Sequence, residues 1–169
     1  MRSIFRTLVA SSALCLAALV LAQGQPPVVS LHVMTNSVVA GKTFPVELTI
    51  TFPEGLHGYQ NPPTDPSLIP IAITAGDKVF KVIKVAYPKG TPTKIAGEDK
   101  PINVYSGTIK IPVMLQAPAK LGKAVFKLSV GYQECNDQSC FPPGSIVTDA
   151  TVTVIKKAAS ASPKSGKTR

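Results

Sequence analysis

Tryptophan is absent from the 169-residue sequence, and aromatic residues make up only 6% of it. Acidic residues are also scarce, nine Asp and Glu against eighteen Lys and Arg. The resulting charge of +9 invites a nucleic-acid reading. Its distribution argues otherwise. Removing Arg2, Arg6, Lys156, Lys157, Lys164, Lys167 and Arg169, which lie near the two termini, leaves about +2 on the central part, an ordinary value for a domain. No G-x-S-x-G, H-E-x-x-H or Gly-rich phosphate loop occurs, so hydrolase and nucleotide-binding readings have no residues to carry them. Beyond residue 22 no apolar run approaches the roughly 20 residues that a membrane helix needs.

The one long apolar run is at the start. Arg2 and Arg6 precede a mostly apolar stretch, 7–21, that ends at the small Ala22, which predicts a secretory signal peptide over 1–22. A retained anchor fits less well, because the run is short for a bilayer. Cys15 leaves with the signal, so two of the three cysteines remain, in a compartment where disulfides persist. Residues 23–156 are then one domain. The basic, Pro-interrupted stretch 157–169 reads as a disordered tail, with weak attachment to an anionic membrane or wall as the alternative to a merely solvated end.

Along the domain, alternation dominates. Val46, Leu48, Ile50 and Phe52 share one face of a strand over 44–52, and Pro45 marks an edge or the start of that strand. Further strands are expected over 28–34, 68–74, 79–87, 105–115, 122–132 and 146–155, with 75–78 joining two of them as a hairpin. Pro/Gly-rich stretches 53–70 and 88–103 read as long loops, of the kind that carry function. About seven strands with turn signals between them imply an all-β, immunoglobulin-like antiparallel β-sandwich. The missing Trp and widely spaced cysteine pair exclude a true antibody-type domain.

Cys135 and Cys140 occupy a polar turn, E-C-N-D-Q-S-C-F-P-P, that Pro142 and Pro143 keep from continuing as helix or central strand. Both thiols are expected near the surface. A bridge across four intervening residues closes a very short loop and stabilises the chain by only about 2 kcal/mol, so it is a poor staple. Redox function and a structural bridge remain close rivals on this reading. No helix start lowers a thiol pKa, and Glu134 and Asp137 disfavour the thiolate, which suggests a dithiol that waits for a dedicated partner. Two thiols and a distant His57 are a weak metal signature, and neither metal nor cofactor is expected. His57 and Tyr59 in the first long loop are candidates to border the cysteine turn and meet a partner.

Tyr132-Gln133-x-Cys135-Asn136-Asp137-x-x-Cys140-x-Pro142-Pro143 resembles the signature of the N-terminal periplasmic domain of the thiol:disulfide interchange protein DsbD family. Gly55-Leu56-His57-Gly58-Tyr59 and residues 105–113 extend the resemblance. It implies an immunoglobulin-like domain that carries reducing equivalents from a membrane-embedded and a thioredoxin-like domain to exported disulfide isomerases and cytochrome c maturation factors. Cys140 would form the mixed disulfides and Cys135 would resolve them. Family members cover the cysteines with an aromatic-bearing cap loop. Here 89–104 contains no aromatic, so Tyr59 is the candidate shield, Glu98 and Asp99 match acidic residues of that loop, and Tyr132 and Phe141 flank the pair. The membrane and thioredoxin-like domains are not in this sequence, so separate thioredoxin-like partners and a separate membrane donor are expected, in the periplasm. The competing expectation is a secreted immunoglobulin-like binding module with a purely structural disulfide.

Overall fold

A computed structural model describes residues 25–95 and 98–157. The expected signal peptide and almost all of the expected tail lie outside these residues. Twelve strands are present: β1 Val28–Val33, β2 Ser37–Val39, β3 Thr43–Thr51, β4 His57–Tyr59, β5 Ala72–Ala75, β6 Lys81–Val85, β7 Thr91–Thr93, β8 Ile102–Ser106, β9 Thr108–Gln116, β10 Gly122–Tyr132, β11 Glu134–Cys135 and β12 Gly144–Ile155. They form three four-stranded sheets in the orders β1-β3-β9-β6, β2-β12-β10-β5 and β11-β4-β8-β7. Every pairing is antiparallel except β2 with β12.

The first two sheets make an all-β, immunoglobulin-like sandwich. Alternation in β3, β9, β10 and β12 sends Val46, Leu48, Ile50, Ile111, Val113, Leu115, Phe126, Leu128, Val152 and Val154 into one core. Phe126 is fully buried there, with ring centroids 6.0 Å from Phe44 and 5.2 Å from Phe80. Pro45 lies one residue beyond Val46, the last position of β3 opposite β1, so only β9 flanks it and the missing N–H is tolerated at the start of an interior strand.

Several expectations change. The 75–78 stretch is no hairpin, because β5 pairs with β10 and β6 with β9 in different sheets. Two contacts direct the crossover: Gly76 N–H donates to Lys127 O at 2.8 Å, and Phe80 packs against both Phe44 and Phe126. The strand expected over 68–74 shortens to β5, since Leu68 turns away to pack in the small third sheet. The run 105–115 divides at Gly107, whose φ of 61° interrupts the ladder and separates β8 from β9. Each long loop contributes a three-residue strand, β4 from 53–70 and β7 from 88–103. Those strands, with β8 and β11, build the sheet that carries the cysteines.

Candidate functional site

The third sheet sits at one end of the sandwich, where β8 passes into β9 and β10 is followed by β11. Register fixes its two faces. His57 lies opposite Cys135 and Tyr59 opposite Val104, so all four share one face, where Ile102, Leu68 and Ile95 join them in a small apolar cluster. Glu134 and Tyr105 lie opposite Gly58, on the face turned toward the main core. A methyl group at Gly58 would come within 2.9 Å of the Phe52 ring and 3.0 Å of Ile71 Cδ1, so β4 rests directly on that core.

Cys135 and Cys140 are joined by a disulfide. Phe141 N–H donates to Glu134 O at 2.8 Å and Asn136 N–H to Ser139 O at 2.9 Å, closing a tight hairpin around the pair. Asn136 organises its tip, because Oδ1 accepts from Gln138 N–H at 2.9 Å and from Ser139 N–H at 2.8 Å. The two sulfur-bearing residues are not equivalent. Cys135 belongs to a strand and is 1% exposed, whereas Cys140 is exposed. The expectation of two surface thiols is therefore corrected, because pairing of β11 with β4 draws Cys135 under the sheet's apolar cluster.

Tyr59, the candidate shield, lies against both sulfurs. Its phenol oxygen lies 3.3 Å from Cys135 Sγ and 3.4 Å from Cys140 Sγ. A disulfide sulfur has no proton to give, so the hydroxyl is the donor. Burial and the nearby Glu98 carboxylate raise the Tyr59 pKa, which keeps that proton in place. His57 is buried and stacks edge-on to Tyr59 at 6.0 Å, with Nε2 lacking a partner. Burial lowers its pKa, opposed by Asp137, so the ring is held as a neutral imidazole. A groove of about 540 Å³ opens beside it, lined in part by Phe52, Leu56, Val104 and Asp137.

The remaining candidates divide. Phe141 contributes its backbone, donating to Glu134 O and accepting from Gln133 Nε2 at 3.1 Å. Tyr132 packs on the main core, its ring over Gly144. Asp99 is exposed and enters no side-chain hydrogen bond among the described residues. Among those residues no group of three His, Cys, Asp or Glu side chains is placed to hold a metal ion.

Two residues acquire places the sequence did not announce. Ile95, the one large apolar side chain between Tyr87 and Ile102, packs against the Tyr59–Cys135 cluster, and that isolation was the available signal. Glu134 is 2% exposed with Oε1 unpartnered, and burial lifts its pKa from 4.5 to about 7. Its expected role as a negative charge that disfavours the thiolate is thereby altered: it faces the core and is largely neutral below neutral pH.

Among solved structures, the N-terminal periplasmic domain of ScsB from Proteus mirabilis is similar at 15% identity and a TM-score of 0.51, over 78% of this chain and 47% of that one. This chain thus spans about half the length of that protein, and the likeness concerns the fold. The DsbD N-terminal domain of Neisseria meningitidis in its reduced form is similar at 19% identity and a TM-score of 0.43, over 68% of this chain and 82% of that one. No curated protein sequence matches. Residues 26–151 match the family described as thiol:disulfide interchange protein DsbD, N-terminal, which spans the sandwich, the small sheet and both cysteines. The chain belongs to the DsbD N-terminal domain family.

Proposed function

We propose that this domain passes reducing equivalents to exported proteins through its Cys135–Cys140 pair, in the periplasm. The observation that carries the reading is the asymmetry of the bridge: one sulfur open to a partner, the other buried beneath Tyr59. Family membership supports thiol-disulfide interchange as its chemistry and thioredoxin-like proteins as its partners. In this reading the electrons originate in a membrane donor and reach Cys140 through a thioredoxin-like partner; among the described residues no helix is long and apolar enough to cross a membrane.

In the loading step a donor thiolate attacks the exposed Cys140 Sγ. A mixed disulfide forms, the Cys135–Cys140 bond breaks, and its electron pair leaves on Cys135 Sγ, which then takes a proton. The Tyr59 hydroxyl, already at hydrogen-bond distance, stabilises that departing thiolate. The donor's second thiolate attacks its own sulfur in the mixed disulfide and releases Cys140; the donor is oxidised and this domain reduced. Delivery reverses the roles. Cys140 attacks the acceptor disulfide and Cys135 resolves the product. Tyr59 and Ile95 pack in the cluster that buries Cys135 and limit access of small oxidants to that sulfur.

Two measurements test this. The reduction potential of the pair should fall between about −120 and −270 mV, the range of exchange proteins, whereas a value below about −300 mV marks a structural bridge and a binding module. A Cys135→Ser variant, left with the exposed thiol, should accumulate mixed disulfides with thioredoxin-like proteins, and Cys140→Ser should not. The reverse pattern overturns the assignment of the two sulfurs.

A further inference from the structure

The end of the sandwich away from the disulfide has its own character. Four segments converge there: the turn between β2 and β3, the crossover 76–80, the turn between β9 and β10, and the end of β12. Backbone hydrogen bonds tie three of them together, Gly41 N–H to Pro118 O at 3.3 Å, Ala117 N–H to Lys42 O at 2.9 Å and Ala40 N–H to Ile155 O at 2.9 Å, and Val79 of the crossover lies beside Gly41 and Pro118. Lys42, Lys78, Lys81, Lys120, Lys123 and Lys156 are all exposed on them. Asp77 is the single acid in these segments, and its carboxylate is engaged by Val79 N–H at 2.8 Å. Among the described residues the one salt bridge joins Lys110 to Glu47, so these ammonium groups have no carboxylate partner.

Aliphatic side chains stand between the lysines. Val79, Leu121 and Val125 are 51%, 53% and 46% exposed, and with Pro118 they line a shallow groove of about 280 Å³. At the opposite end Glu54, Glu98 and Asp137 lie near the disulfide, and with Lys89, Lys94 and Lys100 of the 88–103 stretch beside them that end carries no comparable positive excess.

We infer that this basic, aliphatic end docks on an anionic lipid surface and holds the disulfide end away from it. A soluble polyanion would match the lysines but leave Val79, Leu121 and Val125 in water. A bilayer surface takes both, headgroup phosphates binding the ammonium groups and the interfacial region admitting the aliphatic side chains. β12 finishes at this end, and the sequence past Lys157 contains Lys164, Lys167 and Arg169 and no acid. Because only the basic end carries an excess of positive charge, attraction to the surface favours one orientation. β10 runs from Gly122 at the basic end to Tyr132 at the disulfide end, so the reactive sulfur is held roughly 30 Å from the headgroups, within reach of a soluble partner.

The test is co-sedimentation of the chain with phosphatidylglycerol-containing and pure phosphatidylcholine vesicles, at low salt and at about 0.5 M. Binding should require phosphatidylglycerol and collapse in high salt. A Lys120→Glu/Lys123→Glu double variant should bind about thirtyfold more weakly, and Leu121→Asp about tenfold more weakly, with heparin binding by the latter little changed. Should the double variant unfold on heating below the parent's midpoint, Lys78→Gln/Lys81→Gln serves in its place. Equal recovery on neutral and anionic vesicles overturns the proposal. Wild-type binding by both lysine variants overturns it too, assigning attachment to the cations beyond Lys157. Unchanged vesicle binding by Leu121→Asp, with heparin held as tightly as vesicles, assigns the face to a soluble polyanion instead.

Discussion

The sandwich and the small sheet at its end differ in what they bury. The sandwich core is built from aliphatic and Phe side chains on strands of up to twelve residues, and the buried polar side chains His57 and Glu134 both belong to the small sheet, whose longest strand has five. Long alternating strands remove apolar surface without leaving polar atoms unpaired, which stabilises the fold. The small sheet accepts two unpartnered polar atoms, a cost that a purely structural element has no reason to carry. Stability and chemistry are thus lodged in different parts of the same chain, and variants in each should separate them.

The largest effect is expected in the sandwich. Phe126→Ala removes a fully buried ring that stacks on two others, and should cost about 3–5 kcal/mol in urea denaturation while leaving thiol exchange per folded molecule unchanged. Loss of exchange at full foldedness would break the division. Next comes Glu134. Its folded pKa of about 7 stands above the ordinary 4.5, so its neutral form is the one the fold accommodates. The stability that Glu134 contributes should be fullest below pH 4.5 and be lost as pH rises from there through 7, by at most about 3 kcal/mol. Glu134→Gln should flatten that profile, and an unaltered profile would show that the carboxyl finds a partner.

A double Cys135→Ser/Cys140→Ser variant should lose only about 2 kcal/mol, because the closed loop is short, yet lose exchange entirely. Tyr59→Phe should change stability by less than about 1 kcal/mol, and slow attack by dithiothreitol at Cys140 about fivefold through loss of the hydroxyl that supports the leaving sulfur. Faster attack would mean that Tyr59 acts chiefly as a shield.

The same division explains what could be read in the sequence. Strands β3, β10 and β12 were legible because nine or more residues give period two room to show. Strands β4, β7 and β11 have three residues or fewer, and prolines around them look like loop signals. Their place is set by pairing partners up to 78 positions away, as His57 and Cys135 illustrate, and no local pattern records that. Gly58 belongs to the Gly55–Tyr59 motif, but only packing on Phe52 and Ile71 shows why a side chain is excluded there. The cysteine hairpin was legible as a turn, since Asn136 and the two prolines act locally. The unequal exposure of its two sulfurs was not, because it comes from register.

The contact between Tyr59 and the two sulfurs also gives the domain a built-in optical gauge. A disulfide in van der Waals contact with a phenol quenches its emission, and the chain contains no indole to mask the signal. Opening the bridge should therefore brighten ultraviolet tyrosine fluorescence in the unlabelled protein, with Tyr59→Phe losing most of the change. Electron transfer to and from this domain can then be followed in real time without any dye, by light emitted from the very residue that touches the reacting bond.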